Sequence, residues 1–296
     1  VPLTGDLVAH DPVIIKSDGL YYVFHTGPGV RVKTSSDMRE WSDAGSVFNP
    51  RPSWTATQVP GVGDLWAPDI SYFGGTYHLY YSASTFGSNR SCIGHATRAA
   101  LNSGSWTDHG PVICSNPDGG TADNWNAIDP NVVLDEEDTP WLSFGSFWDG
   151  IKMIELDQTG ARANMDLHSL ASRTVNERSV EAPFIVRRCN YYYLFVSFDF
   201  CCRGTTSTYR TMVGRSTNVL GPYVDRSGNE LLDGGGTQVL VADTRWRGPG
   251  HNAIFFEGSS AYNVYHTYDA QNQGRITLRI SELAWDVSGW PVSAGP

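Results

Sequence analysis

The sequence predicts an all-β chain, a five-bladed β-propeller forming a single domain over residues 1–296, and three observations carry the prediction. A Pro-containing turn with a polar residue opens a strand-rich segment five times, around Asp11, Asp69, Asp129, Glu181 and His251. Those openings are 58, 60, 52 and 70 residues apart, the length of a propeller blade with several short strands per unit. Between them lie β-branched and aromatic runs bounded by Gly, Asn, Asp and Ser, whereas a helical period is hard to find outside residues 167–172. A β-sandwich shares such turn spacing, but it does not need five near-equal units, and a closed ring does.

Each blade follows the same grammar. Blade one reads Val13-Ile14-Ile15, a turn at Asp18-Gly19, then residues 20–25, 30–34 and a segment ending at Trp41. Blade two has residues 70–73, a Gly74-Gly75 turn, then 76–81, 92–97 and 109–114. Blade three runs through 131–134, an acidic turn at 135–138, then 141–144 and 151–154. Blade four has 184–186, 191–198 and 209–215, and blade five has 253–256, 261–268 and 276–280. The first strand of every blade lines a propeller's central channel. The repeat therefore predicts that Asp11, Asp69, Asp129, Glu181 and His251 converge at one end of the axis.

Composition narrows the partners. A formal charge of −10 repels polyanions, which excludes nucleic acid and disfavours a densely charged pectic acid. A neutral small molecule or polymer fits better, and 10 Trp, 14 Tyr and 12 Phe supply rings for stacking on one. No run of apolar residues is long enough to span a bilayer, so no membrane partner is expected. The chain starts at Val1 and carries no leader, the pattern of a mature secreted, extracellular protein acting as a monomer. Asn89-Arg90-Ser91 is an N-glycosylation sequon.

Asp before Pro is often only a strand starter, because the residue before Pro is pushed to extended geometry. Recurrence at matching places in the repeat points beyond that, to Asp11, Asp129 and Glu181. A Glu buried at a channel mouth has its ionisation suppressed unless it is paired, and suppressed ionisation is what a general acid working near neutral pH requires. An acid, a base and a third carboxylate that adjusts them suffice for inverting glycoside hydrolysis.

His10-Asp11-Pro12, Trp66-Ala67-Pro68-Asp69, Ala127-Ile128-Asp129-Pro130 and Val180-Glu181-Ala182-Pro183-Phe184, with the stretch Ser197 to Gly204, resemble glycoside hydrolase family 43 over essentially the whole chain. The nearest likeness is to its endo-1,5-α-L-arabinanases. The resemblance implies a five-bladed propeller that cuts internal α-1,5-linked L-arabinofuranosyl bonds of arabinan or arabino-oligosaccharides with inversion. It further implies that Asp11 is the general base, Glu181 the general acid, and Asp129 the group that raises the acid's pKa and holds it. Related five-bladed families acting on fructosides retain configuration and carry Arg-Asp-Pro, where this chain has Ile128-Asp129-Pro130. An exo-acting α-L-arabinofuranosidase or β-xylosidase of the same family is the runner-up. A non-catalytic lectin is less well served, since lectin propellers repeat one site in every blade and these openings differ chemically.

Around the acids, Trp66, Phe86, Trp125 and Trp148 are candidate walls for sugar stacking, with core packing the competing role. Asp69, Asn126 and Ser146 are candidate partners for sugar hydroxyls. For His251, the resemblance implies a calcium-like ion on the propeller axis, held by that His and waters. Gly119-Gly120 and Gly234-Gly235-Gly236 are turns, since neither is followed by the Lys-Ser/Thr of a phosphate loop. Among the cysteines, Cys92 and Cys114 end neighbouring strands and can reach bonding distance, Cys201-Cys202 form either a vicinal disulfide or two thiols, and Cys189 is left over.

Overall fold

A computed structural model describes residues 2–296. Alternating β-branched and aromatic residues build five sheets, each ordered from the channel outward. Blade one holds β1 (Thr4–Gly5), β2 (Val13–Ser17), β3 (Leu20–His25), β4 (Arg31–Ser35) and β5 (Glu40–Ser46). The short helix α1 (Trp54–Gln58) leads to blade two, β6 (Trp66–Phe73), β7 (Thr76–Ala83), β8 (Ser91–Arg98) and β9 (Thr107–Ser115). Blade three is β10 (Asn131–Leu134), β11 (Pro140–Phe144), β12 (Ile151–Glu155) and β13 (His168–Ala171). Blade four is β14 (Val180–Arg188), β15 (Tyr191–Phe198), β16 (Arg210–Ser216) and β17 (Thr237–Leu240). Blade five is β18 (Trp246–Glu257), β19 (Ser260–Asp269), β20 (Arg275–Trp285) and β21 (Pro291–Ser293). The stretch suspected of helical character is strand β13, held as the outer edge of blade three by pairing with β12.

The core is divided as the repeat requires. Five apolar clusters fill the gaps between successive blades; one joins Val133, Met153 and Leu170 of blade three to Ile185, Leu194 and Val196 of blade four. Inner strands bury both faces between neighbouring blades, which explains why strands such as β7 and β15 are nearly continuous runs of buried residues rather than alternating ones, whereas outer strands such as β5 and β9 are mostly exposed or half-buried. Blade five is made entirely of residues 246–293, so the first and last blades exchange no strand. They meet instead through an apolar cluster of Ile14, Tyr21 and Val23 against Val264, Leu278 and Ile280, a Leu278 N–H to Leu7 carbonyl bond of 2.7 Å, and the Lys16–Glu257 ion pair.

Cys92 and Cys114 face each other across β8 and β9 and are disulfide-bonded. Cys201 and Cys202 form a vicinal disulfide, and Cys189 is an exposed free thiol. Asn89 uses its side-chain amide to donate to the carbonyls of Asp123 and Trp125, both at 2.9 Å. The sequon asparagine thus tethers the loop that leads to Asn126, and a glycan on its nitrogen would break that tether.

Candidate active site

One residue per blade opening has left-handed backbone: Asp11, Ala67, Asp129, Ala182 and His251, with φ between 44° and 60°. This conformation costs a residue with a Cβ roughly 1–2 kcal/mol, so something must hold it. In four cases a side chain of the preceding blade's second strand, or of the residue just past it, accepts the amide. Ala67 N donates to Thr26 Oγ1 (2.8 Å), Asp129 N to Ser82 Oγ (3.0 Å), His251 N to Ser197 Oγ (2.9 Å) and Asp11 N to His266 Nδ1 (3.1 Å).

Blade three breaks the rule. Its matching position is Gly145, whose amide bonds Ile128 O; at φ +133°, an added Cβ would lie 2.4 Å from the Gly150 carbonyl. With no side chain there, the Ala182 amide donates to Asp129 Oδ2 at 3.1 Å. A backbone need thereby fixes a carboxylate beside the residue that precedes Ala182, which is Glu181.

This register corrects the sequence alignment of the openings. The equivalent positions are Asp11, Ala67, Asp129, Ala182 and His251; Glu181 stands one residue earlier and Asp69 two later. Residues in the earlier position, His10, Trp66, Ile128 and Glu181, line a cleft of about 800 Å³ at the mouth of the channel. Asp11, Asp129 and His251 line it too. Asp69 does not: it lies further along β6 and accepts from Val132 N (2.9 Å) and Asn131 Nδ2 (3.1 Å). Asn131, at the same offset in blade three, accepts from Ile185 N at 2.7 Å. Asp69 therefore clamps blade two to blade three rather than holding substrate, and burial pushes its carboxyl up to about 6 despite those donors.

The three cleft carboxylates are all buried but differently surrounded. Burial alone would raise Asp11, yet His10 and His251 hold it well below the usual range, with His10 Nδ1 2.9 Å from Oδ2 and His251 Nδ1 3.1 Å from Oδ1. The Thr26 hydroxyl donates a further 2.6 Å bond to Oδ2, which also favours the ionised form of Asp11. Burial raises Glu181, and the hydroxyls of Ser146 and Tyr209, each 2.6 Å away, only partly offset it. Burial raises Asp129 well above the usual range; the pull of His251 opposes this, and the charges of Glu181 and Asp11 reinforce it. His251, which burial would discharge, is held up at about 9 by Asp11, Asp129 and Glu181 together. Within one cleft, then, the surroundings lower the pKa of one buried carboxylate, Asp11, and raise those of two others, Glu181 and Asp129, around a raised imidazole.

The walls are aromatic. Trp66 and Phe86 lie on one side with ring centroids 4.8 Å apart, and Phe86 is 80% exposed. Phe147, Trp148 and Phe200 also line the cleft, as does the Cys201–Cys202 turn. Asn126 lines it with an Oδ1 that has no protein partner. Ser146 lines it as well, but its hydroxyl is committed to Glu181. Trp125 is half-buried and packs against the core rather than the cleft, its ring edge-on to Phe144 at 5.6 Å. Sequence reasoning missed Thr26, Phe147, Tyr209, His266 and Tyr268. The signal for Thr26 was its place just after the second strand of blade one; Tyr209 stands at the start of a strand with nothing to single it out.

The model of the family described as glycosyl hydrolases family 43 matches residues 4–291. The chain belongs to glycosyl hydrolase family 43. Among curated family 43 relatives, an extracellular endo-α-(1→5)-L-arabinanase of Bacillus subtilis is 44% identical over 95% of this chain and 86% of its own length. An endo-arabinanase structure from Bacillus licheniformis superposes with a TM-score of 0.92 at 48% identity, covering 98% of this chain and 99% of that one. An exo-1,5-α-L-arabinanase from a bovine ruminal metagenomic library superposes with a TM-score of 0.93 at 42% identity, covering 98% and 99%.

Proposed function

We propose that this family 43 hydrolase cuts internal α-1,5-linked L-arabinofuranosyl bonds of arabinan with inversion of configuration. The observation that carries the reading is the contrast between two buried carboxylates of one cleft: two histidines beside Asp11 lower its pKa, and burial raises that of Glu181. In an inverting hydrolysis the acid protonates the leaving oxygen while the base takes a proton from the attacking water. Glu181 fills the first role, with Ser146 and Tyr209 fixing its two oxygens. Asp11 fills the second. Burial and the charge of Asp11 favour the protonated form of Glu181, and Asp129 beside it is held in place by the Ala182 amide. Trp66 and Phe86 offer ring faces to the furanosides, and Asn126 Oδ1 offers an acceptor for a hydroxyl. The names of the relatives support the substrate, and the word extracellular in one supports a secreted enzyme. No helix of the described residues is long and apolar enough to cross a membrane.

A calcium-like ion on the axis belongs to the same proposal. Such an ion would be held by one imidazole nitrogen of His251 through a water shell rather than caged by protein oxygens, and it fits only where it replaces the proton that the three carboxylates otherwise keep on that ring. Three carboxylates bear on His251 and favour positive charge there, but among the described residues no group of three or more converging metal ligands includes it. When bound, the cation supplies further positive charge against those carboxylates.

The test is hydrolysis of linear arabinan beside xylan and arabinose-decorated xylan. Endo action gives a rapid fall in viscosity and oligosaccharides of mixed length; a single product size from the first minutes supports the exo reading that one relative's name raises. Proton NMR of the first product gives the β-anomer for inversion, and an α-anomer refutes the role of Asp11. Size-exclusion chromatography checks the monomer.

A further inference from the structure

We propose that Tyr268 is a positioning residue for the catalytic base and that the Cys201–Cys202 disulfide turn locks it in place. The proposal rests on the reading of Asp11 as base. Its strength lies in the direction of each hydrogen bond. The Cys202 backbone N–H donates to Tyr268 Oη at 2.9 Å, and the Ser207 side chain also bonds that oxygen. The Cys202 N–H can only donate, so the Tyr268 hydrogen stays free to point to His10 Nε2, 3.0 Å away, in the tautomer where that nitrogen is the acceptor. A His10 ring that accepts at Nε2 carries its hydrogen at Nδ1, the atom 2.9 Å from Asp11 Oδ2. Donor direction therefore runs unbroken from a main-chain amide to the base. Stacking of His10 on His266, with centroids 4.2 Å apart, keeps the ring from turning out of line.

The disulfide matters because it closes a small ring around the peptide between Cys201 and Cys202, and that peptide's N–H starts the chain of bonds. Cys202 is exposed, so a dithiol reductant can reach it. Reduction would consume one dithiol, break the S–S bond, leave two protein thiols and release the reductant as its own disulfide. The Cys202 Sγ lies 3.7 Å from His10 Nε2, so a thiol there becomes a second donor competing with Tyr268 for that nitrogen. In the other disulfide Cys92 of β8 is fully buried and Cys114 half-buried, so it is less accessible than the exposed Cys202.

The experiment compares wild type and Tyr268→Phe on linear arabinan, each before and after dithiothreitol, with Cys189 alkylated beforehand and mass spectrometry confirming two newly freed thiols. Loss of the relay is expected to lower kcat about tenfold with KM within about twofold, since ground-state contacts to sugar are untouched. Reduction of wild type should produce a similar loss, and reduction of Tyr268→Phe little more, because both cut the same chain. A Cys201→Ser/Cys202→Ser enzyme should resemble reduced wild type and ignore the reductant. A folded Tyr268→Phe enzyme with normal kcat, a loss confined to KM, or fully additive losses overturns the proposal. If Tyr268→Phe does not fold, the response of wild-type kcat to verified reduction decides alone. Asp11→Ala is run alongside: activity retained there means the base was misassigned, whereas an inactive Asp11→Ala with a normal Tyr268→Phe means only the relay fails.

Discussion

Replacing Tyr209 with Phe should make the enzyme work at higher pH. Tyr209 is fully buried, its hydroxyl is held protonated by burial and by the nearby carboxylates, and it donates to Glu181 Oε1 at 2.6 Å. A donor to a carboxylate stabilises the ionised form, so its removal favours the protonated acid and raises the pKa of Glu181. A hydrogen bond to a charged group contributes about 1.5–3 kcal/mol. At 1.36 kcal/mol per pKa unit, this is an upward shift of about one to two units, with Ser146 still holding Oε2. The assay is kcat/KM on linear arabinan across pH. The basic limb reports the free enzyme's acid and should move up by that amount, while the acidic limb, set by Asp11, stays. Stability supplies a second readout with a worked sign. A raised folded pKa contributes stability below the unfolded value and loses it as pH rises through the folded value, so the variant's thermal midpoint should fall further below wild type at pH 8 than at pH 4. A basic limb that stays put, or moves down, refutes the assignment of Glu181 as the acid held by Tyr209.

Glu181→Ala should lose most activity on arabinan and recover part of it on an arabinofuranoside with an activated leaving group, whereas Asp11→Ala should not recover; rates on the two substrates decide. Asp69→Asn turns an acceptor into a donor facing Val132 N or Asn131 Nδ2, and should cost about 1–3 kcal/mol in urea unfolding with kcat unchanged in the folded fraction. Burial lowers His78 to about 4 and His95 to about 3, and the two rings bond at 2.9 Å. Groups with depressed folded pKa values contribute stability in full above the unfolded value near 6.5 and lose it progressively as pH falls from there to the folded values of about 4 and about 3. The urea midpoint should fall over that window, and less so in His78→Gln.

The ring, its five units and the three acidic residues were legible because each rests on local chemistry: strand-forming runs, turn residues, and a carboxylate beside a Pro. Fine register was not. Aligning openings by their polar residue placed Asp69 and Glu181 level with Asp11, but the backbone aligns Ala67 and Ala182 there instead. Nothing in an Ala announces left-handed φ, so the alignment followed the visible carboxylates. The supporting shell was equally hidden. Thr26, Tyr209 and Tyr268 lie 15, 28 and 257 residues from the carboxylates they serve, and only closure of the ring brings Tyr268 to the first blade. Trp125 and Trp148 looked alike as loop tryptophans, and packing against Phe144 separated them.

A hoop closed without an exchanged strand has one joint that neither a sheet ladder nor the chain itself crosses, and the proposed base stands on it. Asp11 belongs to the first blade, yet its amide is received by His266 of the last and its carboxylate accepts from His251 of the same blade. A gap of an ångström between those blades would disarm the nucleophilic water long before any blade lost its strands. Heat inactivation is therefore expected to precede loss of the far-ultraviolet β signal, with the Leu278 amide, bonded to Leu7 across the joint, exchanging on the same timescale as activity decays. In such an enzyme durability is set by the clasp rather than by the links.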